Sequence, residues 1–433
     1  MLEKLKQTLL ALLVESPRRK IIFIGLAALV FAVSHIGIPV QTFPDTQTYV
    51  YLHKHQNEPG VWQQFMLMRP PLYPLIYWLV PNQTLLTILQ SVVSFAAWCV
   101  LALYMSRVFS LPQIRSAVFY ATVWGALGAN ILFWNRMILT ESFSLSMLCL
   151  FIAGWLLAIQ QRRYFLLFAA GLALLFLRDT MVYLVVPFSA TVFIWRRDVR
   201  LVAVLCLLAL ASFQAASWAH EGERYVSPLI NSVAQRIVTD PDTTAFFAAR
   251  GLPVSTELLA CAGKFDCPVS KEVTQWAADK GKPAYMEWIV RTLPARLIAM
   301  FGGRQKISPG NVYRAYKEGP RNIIYVIASL PPLPTPRFSA ETIVLFCLII
   351  GLRVRQCRTR LDIITEQEFL WLTLGAAAFG NLFISFWGDA METKRHCLSA
   401  MVMVHLAILG LLASLAEYKL KASSGFKVST HQG

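Results

Sequence analysis

Apolar residues in this chain fall into long unbroken runs, not into alternating positions or narrow stripes. Ten runs stand out, at about 21–40, 84–105, 116–134, 137–160, 164–178, 180–195, 199–219, 338–352, 368–387 and 397–416. Most approach the roughly 20 residues that carry a helix across a bilayer. The fifth and sixth are short, and read either as two spans or as one bent hairpin around Leu177–Thr180. Backbone polar groups in lipid must be bonded within the chain, so the spans are helices. The weak period-two pattern of an outer-membrane barrel is absent. The predicted fold class is an all-α polytopic membrane protein with about ten transmembrane helices.

The polar stretches between the runs set the organisation. Residues 1–219 form an N-terminal transmembrane module with a first outer loop at 41–83. Residues 220–337 form an extracytoplasmic segment the size of a small domain, with a possible acceptor site. In it, "VTQWAADKGKPAYMEWIVRTLPARLIAMF" has apolar residues at helical spacing, and "ISPGN" and "SLPPLPTPRF" read as turns or rigid connections. C-terminal transmembrane helices occupy 338–421, and 422–433 reads as a disordered cytoplasmic tail.

Composition supports the membrane reading. The chain is 56% hydrophobic and only 15% charged, too little charge to cover a soluble protein of this length. Its net charge of +16 first suggests nucleic acid, but no basic stripe is interleaved with aromatics. Instead, Lys and Arg collect at the ends of apolar runs. With the N-terminus inside, the six cytoplasmic segments carry 19 Lys and Arg, against six in the four short outer segments. This asymmetry predicts cytoplasmic N- and C-termini. The first run lacks a small-x-small cleavage site, so no cleaved signal peptide is expected. Most of the eight cysteines lie inside predicted helices. Cys261 and Cys267 lie in the outer segment, where their spacing can close a small disulfide loop.

This topology brings the ionisable residues near the spans to one level, the outer one. Asp45 follows the first span and Arg69 precedes the second. Arg136 and Glu141 flank the turn between the third and fourth, and Arg178 and Asp179 the turn between the fifth and sixth. Asp389, Glu392, Lys394, Arg395 and His396 precede the last. Charged groups in or near spans are costly and so are candidates for function. A carboxylate can take a proton from an acceptor hydroxyl, and arginines can hold a departing phosphate through their planar fork. Each residue also has a structural reading. Asp45 in "PDT" is good turn chemistry, Arg69 can snorkel to head groups, and Glu141 can cap a helix. Arg178–Asp179 can be a local ion pair, and 389–396 a solvated hairpin. His35 reads as a packed histidine, and "DPD" at 240–242 as a turn. No nucleotide-cradling glycine loop is present and no His/Cys set has zinc spacing, so no metal or cofactor is expected.

An acid just after the first span, then "RPPLYPLIYWL", "LTESF" and "FLRDTMVYLVVP", and finally "METKRH" before the last span, together resemble the glycosyltransferase-C superfamily. The nearest likeness is to bacterial relatives of protein O-mannosyltransferases and of lipid A aminoarabinose transferases. It covers roughly 20–200 and 370–415. The resemblance implies a multi-pass inner-membrane enzyme that takes a sugar from a polyprenyl-phosphate donor to a glycan, lipid or protein acceptor on the extracytoplasmic face. It implies Asp45 as the catalytic base, with Arg69, Tyr73, Arg136, Glu141, Arg178, Glu392, Arg395 and His396 around the donor phosphate and substrate. Many relatives carry a second acid in the first loop; here only Glu58, in "QNEPG", is available. An O-antigen ligase or polymerase would instead rely on His220, Arg224 or Arg236. A transporter would have repeats and midplane polar residues, and a scaffold would tolerate loss of single outer acids.

Overall fold

The structure, a computed structural model, describes residues 16–35, 39–264, 267–301, 347, 350–351, 366–388 and 396–423. Every regular element among them is helical. The only extended pairing among them is an isolated bridge between Gln41 and Met137. Five helices are long and apolar enough to cross a membrane: Gln83–Ser106, Glu141–Gln161, Val199–Glu221, Glu366–Gly388 and Leu398–Lys421. Two shorter apolar helical stretches run over Phe165–Leu177 and Asp179–Ile194.

In chain order, α1 is Pro17–Ser34, α2 Pro44–His55, α3 Val61–Met68, α4 Leu72–Leu79 and α5 Gln83–Ser106. Then come α6 Pro112–Gly125, α7 Ala129–Asn135, α8 Glu141–Gln161, α9 Phe165–Leu177, α10 Val182–Ala190 and α11 Val199–Glu221. The predicted third span is broken. Its glycines at 125 and 128 favour helix poorly, and the chain turns through 126–128 on short-range bonds. The fourth begins at Glu141 rather than 137, because Ile138 gives its N–H to the Gln41 carbonyl. The fifth and sixth are two helices, separated by extended backbone at Arg178.

Central α8 is packed between α5 and α9 and is almost wholly buried. Gly154 permits this: a Cβ there would stand 2.4 Å from the Leu167 amide nitrogen. By contrast, α1 and α11 leave Ile21, Leu29, Leu210 and Phe213 exposed, as lipid-facing helices do.

The segment 41–83 is mostly helical, comprising α2, α3 and α4. It is tied to the α7–α8 turn by the Gln41 amide on the Arg136 carbonyl. Buried Thr46 accepts from Phe43 N–H and donates to the Ile138 carbonyl.

Residues 222–301 form a second helical body: α12 Val226–Ser232, α13 Pro241–Ala248, α14 Thr256–Ala260, α15 Lys271–Trp276, α16 Lys282–Arg291 and α17 Leu293–Phe301. Asp240, read as a turn residue, caps α13 by accepting from Thr243 N–H. Cys261 and Cys267 are disulfide-bonded, with Cα atoms 5.6 Å apart. This body has its own core, which includes Phe247, Trp276 and Trp288. That core is completed by Leu382, Phe386 and Trp387 of α18 (Glu366–Gly388) and Met401 of α19 (Leu398–Ser423). This second body is therefore docked on the ends of α18 and α19. The predicted span at 338–352 and the tail at 422–433 lie almost entirely outside the described residues.

Near the far end of α19, about 30 Å from its start by helix rise, Glu417 is 2% exposed. Its Oε1 accepts from Ser110 N–H, Ser110 Oγ and Leu111 N–H, each at 2.7 Å. Glu417→Ala should cost about 1–3 kcal/mol, since it removes three hydrogen bonds made to a charged group. A thermal unfolding series in detergent checks this, and Glu417→Gln should lose less.

Candidate active site

Asp45 stands in the first turn of α2, a position that favours a carboxylate electrostatically. Its Oδ1 accepts from Arg69 Nη2 at 2.8 Å. Both side chains keep solvent access, 27% for Asp45 and 37% for Arg69. A soluble head group can therefore reach the pair.

Beside it is a buried cluster built from three distant segments. Arg178, 7% exposed, donates through Nη2 to His396 Nδ1 at 2.8 Å. A donor facing Nδ1 requires the tautomer with its proton on Nε2. Arg178 Nη1 is also 3.8 Å from Glu141 Oε1, and Glu141 is 2% exposed. Glu141 gets there by opening α8, and Arg178 by ending α9 in extended backbone.

Arg224 joins the two groups. It pairs with Asp179 at 2.7 Å and donates to the backbone carbonyls of Met66, Leu67 and Arg69. Burial pushes the Asp179 carboxyl above the ordinary aspartate range, while Arg224, Arg69 and Arg178 pull it down. Three arginines thus act on one acid. Gly222 completes the joint, since a Cβ there would fall 1.7 Å from the Leu67 carbonyl oxygen. Arg224→Ala or Gly222→Ala should free this loop without melting the helices. Hydrogen exchange over residues 61–72 should rise by at least tenfold, one step of about 1.4 kcal/mol in local opening, while α8 amides stay protected.

Several expectations are corrected. Pro70 and Pro71 lead directly into α4, so the Arg-Pro-Pro string opens a helix. Tyr73 does not face substrate. It is fully buried, packed on Tyr49 and Phe143, and donates its hydroxyl to Gln90. Gln90 in turn donates to the carbonyls of Asn135 and Met137, so this chain of bonds fixes α4 and the α7–α8 turn to α5. Arg136 directs Nη1 toward the Thr87 hydroxyl at 3.4 Å. Glu58 forms a surface pair with His55 at 2.6 Å, just past the end of α2 opposite to Asp45. Arg178 and Asp179 do not pair with each other in the contacts seen; they face different partners. Packed as expected, His35 has Nδ1 2.6 Å from the Phe31 carbonyl oxygen. Glu392, Arg395, Asp389 and Lys394 lie outside the described residues.

Of the candidates His220, Arg224 and Arg236, Arg224 belongs to this network. His220 is exposed and stacks near Tyr225. Arg236 is buried over the rings of Phe386 and Trp387, 4.8 Å from each. Asp179 and Arg224 were the least legible members. Their 45-residue separation carries no local signal beyond the presence of charge beside apolar runs. Among the described residues, no group of three His, Cys, Asp or Glu could hold one metal ion.

Comparison of the chain with known protein families, curated proteins and solved structures yields no match.

Proposed function

We propose that this chain is an integral membrane glycosyltransferase. It moves a sugar from a polyprenyl-phosphate donor to a hydroxyl of a glycan, lipid or protein on the extracytoplasmic face of an inner membrane. Ten spans with both termini in the cytoplasm belong to this reading. The observation that carries it is the solvent-accessible Asp45–Arg69 pair, set beside the buried Arg178–Glu141–His396 cluster at one end of the helices. The Cys261–Cys267 disulfide favours an oxidising, extracytoplasmic setting for the second body.

In the proposed reaction Asp45 takes the acceptor proton as the acceptor oxygen bonds to the anomeric carbon. The bond from that carbon to phosphate breaks on the opposite face, inverting the centre and releasing polyprenyl phosphate. Arg69 has two roles in sequence. A donor phosphate competes with Asp45 for its guanidinium, and that competition frees the carboxylate to act as base. Arg178 adds positive potential in a poorly solvated setting, where it acts strongly on the charge that builds on the leaving group.

A ligase or polymerase would rest on His220, Arg224 or Arg236. Arg224 is committed to three backbone carbonyls and Asp179, Arg236 lies over aromatic rings, and His220 is exposed, its ring contact being with Tyr225 and not with an acid. This makes Asp45 the stronger choice. The test is a comparison of lipid extracts from a strain lacking the gene with extracts from the same strain carrying it. Mass spectrometry should find one polyprenyl-phosphate sugar accumulating in the deletion, with one surface glycan lost. Unchanged lipids and glycans in the deletion would sink the reading.

A further inference from the structure

α17 is an apolar helix turned outward. Its sequence, LPARLIAMF, holds no acid. Leu293 is 40% exposed, Leu297 41% and Ile298 72%. The stripe continues back along α16 through Met286 and Val290, at 56% and 68%. Helical spacing puts 286, 290, 293 and 297 on one side. The opposite side of α16 holds Tyr285, Trp288 and Ile289 in the second core. The apolar stripe is thus surplus to that core, and it is larger than scattered exposed residues would make it.

Its place in the fold identifies what it meets. α17 touches α18, a helix long and apolar enough to cross a membrane. The contact lies at the end of α18 that carries Trp387. There Arg296, the one charged residue of α17, lies 4.3 Å over the Trp288 ring and 5.4 Å from the Trp387 ring. Arg291, at the end of α16, is 64% exposed and pairs with Glu287 at 2.7 Å. An exposed apolar stripe with basic residues near it, at the end of a helix able to span a bilayer, suits a helix that lies in the boundary between lipid and water, with head-group phosphates above and acyl chains below.

We infer that α16 and α17 form a lipid-resting strap, with the 286–298 stripe sunk into the outer acyl boundary of the bilayer. The strap fixes the height of the second body at head-group level, because Tyr285 on its inner side donates to the Trp387 carbonyl at 2.7 Å. This inference depends on the chain lying in a membrane, not on its being a transferase.

The test puts the photoreactive residue p-benzoylphenylalanine at position 298 of the full-length chain. The protein is reconstituted in nanodiscs of phosphatidylethanolamine and phosphatidylglycerol and irradiated. A second chain carries the probe at position 257, exposed on α14 and away from the stripe. Mass spectrometry should find phospholipid adducts at 298 on the order of tenfold above those at 257, as an interfacial helix requires. Crosslinks from 298 to residues 302–346, or to a second copy of the chain, would assign the stripe to protein and overturn the inference. So would equal lipid labelling at both positions, or no adduct at 298.

Discussion

Asp45→Asn should lower sugar transfer by about 10²–10⁴-fold, the range for loss of a positioned general base, with little change in thermal stability. The structure explains why the two effects separate. An asparagine oxygen still accepts the bond from Arg69 that Asp45 Oδ1 accepts now. α2 keeps its N-terminal turn, since Thr46 supplies the bonds to Phe43 and Ile138. What disappears is the ability to take a proton. The assay is turnover of a polyprenyl-phosphate sugar by wild-type and mutant protein in proteoliposomes, at matched protein amounts. Asp45→Glu should retain part of the rate, because it keeps the base and shifts its position. Full activity in Asp45→Asn would make Asp45 a helix-terminus residue. The chemistry would then be sought at His220, Arg224 and Arg236.

Arg178→Ala should be the most damaging single change, costing about 3–5 kcal/mol, as for other buried pairs that lose one member, as well as activity. Arg178 is the common partner of Glu141 and His396. Its removal takes this cation from a carboxylate that is only 2% exposed. Arg178→Lys should restore little. A lysine brings a point charge, whereas the two contacts use different nitrogens of one planar fork. Thermal unfolding in detergent reads the effect. Adding Glu141→Gln to Arg178→Ala should recover part of the lost stability, because the stranded charge is then gone. No recovery would mean that the pair does not carry the cost.

Much of the architecture was legible because hydropathy is a local property. Runs such as 84–105 and 199–219 must be helices wherever they pack. Within the segment 220–337, the stretch 273–301 read as helical from its spacing, and it is. Breaks were less legible. The turn at 126–128 lies inside an apolar run, and the late start of α8 has a distant cause, the Gln41 backbone bonded to Arg136 and Ile138. Likewise, nothing in "RPPLYPLIYWL" tells whether Tyr73 faces a substrate or the core. That choice was made when Tyr73 found Gln90.

From sequence alone came a helical, membrane-type chain with its ionisable residues next to the ends of apolar runs, since the cost of burying charge in lipid acts on each residue separately. Tertiary structure decided which charge meets which. Arg178 and Asp179 are neighbours in the chain, yet extended backbone at the first and a 3₁₀ turn at the second send them apart. One goes to Glu141 and His396, the other to Arg224. Pairing depends on where helices end and cross, and those crossings are set by contacts such as Gly154 on Leu167 and Gly222 on Leu67. Such contacts join residues far apart in sequence, so no local pattern records them.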